Sequence, residues 1–233
     1  IKTLLEGNGD FRNKECLDLM DESDIVVTNP PFSLFREYVA VLMEHQKKFI
    51  IWSNNNSITY KEFFPFLKNN EVWLGYTANK TLAFRIPDTY AKWDEKETQK
   101  MNDGYHYAKV PAISVFTNLD IKKHHEKLIL WKNYIPEEYP KYNNYDAINV
   151  DKVSEIPCDY DGVMGVPITF LDKYNLEQFE LIGMAEDNGK GYSGEASKWD
   201  GKNPHCLVNG KAMYSRIFIR KRVNNEEHNS LYI

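Results

Sequence analysis

The amino-terminal part of the chain alternates between short apolar runs and stretches with apolar residues at helical spacing. Residues 24–28 form a β-branched run short enough to be a fully buried parallel strand. Ser33 precedes the next helical stretch as a candidate N-cap, with Glu37 a turn later. The predicted elements are, in chain order, an amphipathic stretch at 17–20, a strand at 24–28, a helix from Ser33 to about His45, a strand at 49–52, a helix at 59–68 and a strand at 71–77.

This repeated strand–helix–strand order predicts a doubly wound α/β sheet. Parallel strands joined by helices require right-handed crossovers, and ligands of such sheets bind beyond the carboxyl ends of the strands. After Thr81 the pattern changes, because strand-like pieces now lie among long polar loops, including an irregular but ordered loop at 134–145 and a loop at 189–210 that we expect to be mobile. The strand-like pieces are 81–86, 112–117, 127–131, 179–183 and 213–220.

Two parts follow from this change. Residues 1–80 are predicted to form the α/β part, and residues 81–233 an elaborated α+β part together with the rest of the sheet, with a boundary between Thr77 and Tyr107. The chain starts with Ile1-Lys2-Thr3, with neither a methionine nor the layout of a signal peptide, so we expect it to begin within a longer protein.

Composition narrows the class of protein. With 42% hydrophobic residues in 233, the chain can bury a sizeable core, and no apolar run approaches the ~20 residues of a membrane span, so we expect no membrane partner and a cytoplasmic location. Cys16, Cys158 and Cys206 lack the spacing of zinc ligands or of a disulfide framework, which predicts no metal site. The net charge of -5 argues weakly against nucleic-acid binding, although it can conceal a basic face.

The chemistry of the chain is concentrated in Asn29-Pro30-Pro31-Phe32, directly after the first predicted strand. An exocyclic amine on an aromatic ring is a poor nucleophile, since its lone pair is delocalised. Two carbonyl acceptors for the amine protons favour a tetrahedral nitrogen; Asn29 offers its amide oxygen and Pro30 its carbonyl in a stiff turn. Phe32 offers a face on which a flipped base can stack. The alternative interpretation is an ordinary strand-ending turn.

Residues 24–33, Asp-Ile-Val-Val-Thr-Asn-Pro-Pro-Phe-Ser, resemble the catalytic motif of the amino-methyltransferases that act on adenine. Longer strings resemble the EcoRI-type adenine-specific methyltransferases of bacterial restriction-modification systems, namely residues 35–39, 58–62, 73–76, 116–120 and 165–171. The resemblance implies a Rossmann-like methyltransferase sheet with a target-recognition region. It also implies S-adenosylmethionine as methyl donor, and N6 of an adenine in double-stranded DNA as the acceptor.

Within this resemblance, Gly9-Asp10-Phe11 matches the position where such enzymes hold the cofactor's adenine, with Asp10 accepting from its amino group and the Phe11 backbone completing the edge. Taken alone, these residues also fit a plain glycine turn. The glycine-rich cofactor loop that normally precedes this region is absent, so we expect this N-terminally incomplete chain to hold the cofactor poorly and to be inactive alone. Rival hypotheses are a non-catalytic DNA-binding remnant, or methylation of RNA adenine or protein glutamine.

Other signals predict less. Pro157-Cys158 resembles the nucleophile of cytosine-C5 methyltransferases but is better explained as an ordinary loop cysteine. Asn203-Pro204-His205-Cys206 is likewise interpreted as a loop. The adjacent His124 and His125 would point apart on a regular element, so a solvated face explains them better than a metal site. Two segments are candidates for phosphate contacts, or for solvated faces with equal weight. The first holds Lys122, Lys123, Lys127, Trp131, Lys132 and Tyr134; the second holds Arg216, Arg220, Lys221 and Arg222.

Overall fold

The computed structural model describes residues 5, 7–78, 80–87, 89, 98–185 and 205–222. By its internal contacts the chain divides into two compact units. The first unit comprises Ile1–Ile58 with Val72–Leu119, and the second comprises Thr59–Glu71 with Asp120–Ile233. The functional division into 1–80 and 81–233 remains a prediction.

The first unit is built on a mixed four-stranded sheet. Its elements in chain order are α1 (Lys14–Glu22), β1 (Ile25–Thr28), α2 (Phe35–Glu44), β2 (Lys48–Asn54), β3 (Trp73–Leu74), β4 (Leu82–Arg85), β5 (Thr98–Lys100), β6 (His106–Val110) and β7 (Ile113–Thr117). The strand order is β1-β2-β7-β3, with β1 parallel to β2 and β7 antiparallel to both neighbours. Strands β4, β6 and β5 form a separate antiparallel sheet.

Helix α2 supplies much of the core of this unit. Its spacing places Phe35, Val39 and Leu42 on one face, and all three are buried, as are Phe49 and Ile51 on β2. Burial of each such side chain contributes about 1.5–3 kcal/mol before the entropic cost of folding. The turn after β1 therefore lies between a sheet strand and a helix that is firmly packed.

The structure confirms the mixed α/β class and the predicted helices and strands of 14–54, and corrects three details. Strand β1 is not fully buried, since Ile25 is 45% and Val27 60% exposed. Within the part of the chain that the structure describes, β1 pairs only with β2. Ser33 is not the N-cap, because a 3-10 turn at Phe32–Leu34 precedes α2, whose N-cap is Leu34.

A further correction concerns the direction of the strands in the sheet. The strand predicted at 112–117 is β7, which lies inside the first sheet, between β2 and β3. Its antiparallel direction breaks the all-parallel order that the strand–helix–strand rhythm predicts. Tyrosine-rich residues 134–145 form an irregular ordered loop, as predicted. Of the loop predicted to be mobile, 189–204 lie outside the described residues.

The second unit contains α3 (Phe64–Lys68) and a four-stranded sheet. Its strands are β8 (Ile148–Asn149), β9 (Met164–Pro167), β10 (Phe179–Met184), β11 (Leu207–Val208), β12 (Lys211–Ala212) and β13 (Arg216–Lys221). The sheet order is β10-β13-β9-β8, and β11 with β12 forms a hairpin. Phe170 and Phe179 pack edge to face with centroids 5.2 Å apart in its core. In neither unit is a described helix long and apolar enough to cross a membrane.

A buried network of hydrogen bonds centred on Asn149 connects strands of this second sheet. The Asn149 amide oxygen accepts from the Tyr142 hydroxyl at 2.8 Å and from Arg216 Nε at 3.2 Å, and its amide nitrogen donates to Asp151 at 2.7 Å. Arg216 is only 7% exposed, so the prediction of a solvated or phosphate-binding arginine at this position is wrong. The Arg216 guanidinium has a structural role in this unit.

Candidate functional site

The Asn-Pro-Pro turn lies at the carboxyl end of β1, as predicted. Asn29 directly follows Thr28, is exposed, and precedes a buried Pro30, while the Pro31 carbonyl accepts from Leu34 N at 2.9 Å to start the 3-10 turn. Among the described residues, neither the Asn29 side chain nor the Pro30 carbonyl has a hydrogen-bond partner. The exposed Asn29 amide is thus available to a ligand, whereas Pro30 is buried.

An apolar cavity of about 390 Å³ opens beside this turn, within the size range of small-molecule sites. The residues that line it come from β1's carboxyl end and from strands β2, β4, β6 and β7: Asn29, Trp52, Leu82, Phe84, Val110 and Ile113. Asn29 supplies the amide of this otherwise apolar wall. Such a cavity suits a flat aromatic ligand whose polar edge is oriented by one side chain.

Trp52 was not predicted as a site residue. The register pairs Thr28 with Ile51, so Asn29, just after β1, lies beside Trp52, which is within β2 and two residues before its end. The run 49–52 is predicted only as a buried strand, yet Trp52 is half-buried and lines the cavity. The available signal is its position at the end of the predicted strand 49–52, since α/β sheets bind ligands beyond the carboxyl ends of their strands. Phe84 and Leu82 carried no sequence signal, because their strand pairs far along the chain.

Phe32 takes a different position from the one expected of a stacking residue. Its side chain is 38% exposed at the start of the 3-10 turn, and it is not among the described residues that line the cavity. Its role against a flipped base stays a prediction, and Trp52 and Phe84 are aromatic side chains that the structure does bring to the cavity.

The segment that contains Asp10 and Phe11 contacts α2, the helix that follows the Asn-Pro-Pro turn. The Phe11 ring packs edge to face on Tyr38, with centroids 4.9 Å apart. Arg12 donates to Asp10 through Nε at 2.9 Å and also to Glu37 at 2.8 Å. Glu37 and Tyr38 are consecutive on α2, so the segment of the predicted cofactor residues packs on the helix that follows the predicted target residues, and both sets lie in the first unit.

Electrostatics fix the protonation state of Asp10. The side chain and backbone of Arg12 both donate to its carboxylate, and these bonds lower the pKa of Asp10 to about 2. The carboxylate is therefore an acceptor only, and about one of its four lone-pair positions remains after Arg12 is satisfied. Asn8 and Gly9, whose φ is 76°, close the turn before it, so the glycine-turn interpretation also describes this segment.

The discounted signals fall in the second unit. Cys158 Sγ donates to Asn133 Oδ1 at 3.2 Å in a loop. Among the described residues, no group of three His, Cys, Asp or Glu side chains could hold a metal ion. His125 is exposed, but the prediction of a wholly solvated face is wrong for His124, which is partly buried with a pKa lowered by that burial. The two rings lie edge to face, 5.6 Å apart.

Comparison with known proteins identifies the family. The model of the family "Adenine-specific methyltransferase EcoRI" matches residues 1–222. The chain is 47% identical over 219 residues to the type II methyltransferase M.EcoRI of Escherichia coli, covering 93% of this chain and 63% of that protein. It is 39% identical over 233 residues to the type II methyltransferase M.MgeORF184P of Mycoplasma genitalium, covering 95% and 72%.

A third relative, the type II methyltransferase M.MpnI of Mycoplasma pneumoniae, is 39% identical over 231 residues, with 96% and 72% covered. No solved structure gives a significant match. The chain thus spans between 63% and 72% of the length of these relatives. Since the family model extends over nearly all of its residues, the chain belongs to the EcoRI family of adenine-specific methyltransferases.

Proposed function

We propose that the protein containing this chain transfers a methyl group from S-adenosylmethionine to N6 of a flipped adenine in double-stranded DNA. It acts in the cytoplasm as the methyltransferase of a restriction-modification system. The observation that carries the proposal is the exposed Asn29 amide at the tip of β1, on the wall of an apolar cavity.

The Asn29 oxygen and the Pro30 carbonyl act as a pair. Each accepts a hydrogen bond from one N–H of the adenine amino group, which draws the nitrogen toward a tetrahedral geometry and exposes its lone pair. Pro31 and the buried Pro30 hold the pair in a stiff turn, so little reorganisation is needed when the base arrives. The apolar walls around Trp52 exclude water and offer aromatic surface to the base.

Asp10 and Phe11 are suited to hold the adenosine part of the cofactor. The Asp10 carboxylate is ionised, partly exposed and fixed by Arg12, and its free lone pair can accept from an adenine amino group. When bound, S-adenosylmethionine supplies an electrophilic sulfonium methyl. In this unit Arg12 has a positioning role, since it connects the Asp10 segment to Glu37 at the start of α2.

A Rossmann-like arrangement is part of the proposal. The parallel pair β1 and β2, joined by α2, has the strand–helix–strand order of such sheets, and Asn29 lies at the carboxyl end of β1, beside Trp52 of β2. DNA is favoured over RNA or protein because the family and all three relatives are named as adenine-specific or type II methyltransferases.

The test uses the full-length protein with methyl-labelled S-adenosylmethionine. Duplex DNA, RNA and a protein extract are offered in separate reactions, and the products are digested to nucleosides or amino acids. We expect the label on N6 of adenine from duplex DNA alone. Label on RNA adenine or on glutamine, or no label in any reaction, would contradict the proposal.

A further inference from the structure

The segment that contains Asp10 and Phe11 leads directly into α1, a helix that buries little of its surface. The Asn13 amide donates to the Asp10 carbonyl at 3.0 Å, and Asn13 is the N-cap of α1. Of the nine residues of α1, all within the described part of the chain, only Met20 is buried. Apolar burial of α1 alone therefore holds the segment weakly, and its position depends on contacts with other elements.

Helix α2 supplies such contacts at both of its ends. At the start of α2, the Phe11 ring packs edge to face on Tyr38, with centroids 4.9 Å apart. At its end, Nδ1 of the C-cap His45 lies 2.7 Å from the Asp21 carboxylate of α1. The Lys47 ammonium also donates to the Asp21 carbonyl at 2.7 Å. Helix α1 thus lies alongside α2 in the same direction, and only the first of these contacts involves the predicted cofactor residues.

The contact at the start of α2 is made mainly by aromatic rings that are both partly buried. Burial raises the pKa of the Tyr38 hydroxyl, and the nearby thiol of Cys16, in the first turn of α1, raises it further. The Arg12 guanidinium lies 5.3 Å from the centroid of the Phe11 ring and donates to Glu37. Because the ion pair of Arg12 with Glu37 is exposed on both sides, it contributes less than the contact between the rings.

Tyr38 is also close in the chain to the Asn-Pro-Pro turn. The 3-10 turn Phe32–Leu34 starts with a hydrogen bond to the Pro31 carbonyl, and α2 follows it directly at Phe35. Phe35 is fully buried, so the first turn of α2 is fixed in the core of the unit. A rigid helix turn therefore connects the Tyr38 ring to the turn that carries Asn29.

We propose that Tyr38 is a positioning residue for methyl transfer, whose ring holds the Asp10-Phe11 segment at the distance from Asn29 that the reaction requires. It acts through the Phe11 ring, which leaves the Phe11 backbone for the cofactor. The inference rests on the proposed function, since it takes Asp10 and Phe11 as cofactor residues. It adds that α2 sets the position of the methyl donor relative to the target adenine, so loss of the Tyr38 ring should affect both cofactor affinity and the rate of transfer.

The experiment uses variants of the full-length protein and two measurements. Isothermal titration gives the dissociation constant of S-adenosylmethionine, and a single-turnover reaction at saturating cofactor and duplex DNA gives the rate of transfer. Tyr38→Leu should raise the constant about tenfold and lower the rate about tenfold, because the donor is less well placed. Tyr38→Phe keeps the ring and should retain both values. His45→Ala, which breaks the contact at the other end of α1, is the matched control and should change neither.

A double-mutant cycle tests whether Tyr38 acts through Phe11. Phe11→Leu removes the same contact from the opposite side, so alone it should raise the dissociation constant of the cofactor as Tyr38→Leu does. Combined with Tyr38→Leu, it should raise the constant no further, because the contact is already lost.

Three results would overturn the inference. The first is a Tyr38→Leu protein with a lower urea midpoint but wild-type affinity and rate, which would give the ring a role in stability alone. The second is a Tyr38→Phe protein as defective as Tyr38→Leu, and the third is additive losses in the double variant. Failure of the proposed function is distinguished by the wild-type protein itself, because it would leave the duplex unmethylated.

Discussion

Asn29 in the first unit and Asn149 in the second are both asparagines at the end of a sheet strand, but their surroundings are opposite. The Asn29 side chain is exposed on the wall of a cavity and without a partner among the described residues. Asn149 is 3% exposed, and its amide makes three hydrogen bonds, to Tyr142, Arg216 and Asp151.

The difference separates a side chain that serves the fold from one that is available to a ligand. A buried amide must satisfy its donors and acceptors within the protein, because each one left unpaired costs about 1–3 kcal/mol. At Asn149 that requirement is met, and burial also raises the pKa of the Tyr142 hydroxyl that donates to it. At Asn29 the bonding capacity is unused. Substitution should therefore affect activity at one position and stability at the other.

The largest effect is expected for Asn29→Ala in the full-length protein. It removes one of the two acceptors of the amine protons, so the methylation rate should fall roughly 10²–10³-fold. Cofactor affinity, measured by isothermal titration, should be nearly unchanged, as should the urea midpoint. The control is Asn102→Ala, an exposed asparagine in the turn between β5 and β6, which should retain full activity. An equal loss of cofactor affinity would show that Asn29 does not act on the nitrogen.

Asn149→Ala should produce the converse result. Loss of the amide removes the hydrogen bonds that the Tyr142 hydroxyl and the buried Arg216 guanidinium donate to Asn149. This should lower the free energy of unfolding by about 3 kcal/mol. Urea denaturation followed by circular dichroism measures this cost. The remaining folded protein should methylate DNA at a near-normal rate. A stable variant would mean that the network contributes little to the second unit.

The sequence predicts the role of Asn29 but does not reveal the buried network of Asn149 and Arg216. Asn29 was found because a strand, two prolines and a helix are adjacent in the chain, so local rules of geometry apply. Arg216 was misjudged because its partner Asn149 is 67 residues away, and alternation along one strand contains no information about that pairing.

The distance between paired residues along the chain also decides which parts of the first sheet the sequence predicts. The predicted bounds of β1, α2 and β2 are close to the observed ones, since each element depends on its own apolar period, whereas α1 extends beyond the amphipathic stretch at 17–20 on both sides. The position of β7 between β2 and β3, and with it the wall formed by Ile113 and Val110, depends on pairings across tens of residues. Trp52 became a candidate only once its register beside Asn29 was known.

Asp10→Ala tests whether the predicted cofactor residue Asp10, like Asn29, is available to a ligand. The Asp10 carboxylate is ionised at neutral pH, and Arg12 lowers its pKa further, to about 2, so its removal should cost a charged hydrogen bond to the cofactor. We expect the dissociation constant of S-adenosylmethionine to rise about tenfold in isothermal titration. Asp18→Ala, which breaks an exposed pair with Lys14 on α1, is the control and should leave it unchanged. An unaltered constant in the Asp10 variant would remove this residue from the cofactor site.

The smallest effects are expected at the aromatic residues near Asn29, where several rings can share the base. With 2-aminopurine at the target adenine, Phe32→Ala and Trp52→Ala should each alter the fluorescence of the flipped base. Each should weaken its retention about fivefold, which corresponds to about 1 kcal/mol, the lower end of what stacking contributes per base, because another ring remains. Trp52 lines the cavity, whereas Phe32 is partly exposed outside that lining. If only Trp52→Ala changes the signal, the ring on β2 takes the stacking role predicted for Phe32. If neither does, the cavity beside Asn29 does not receive the base.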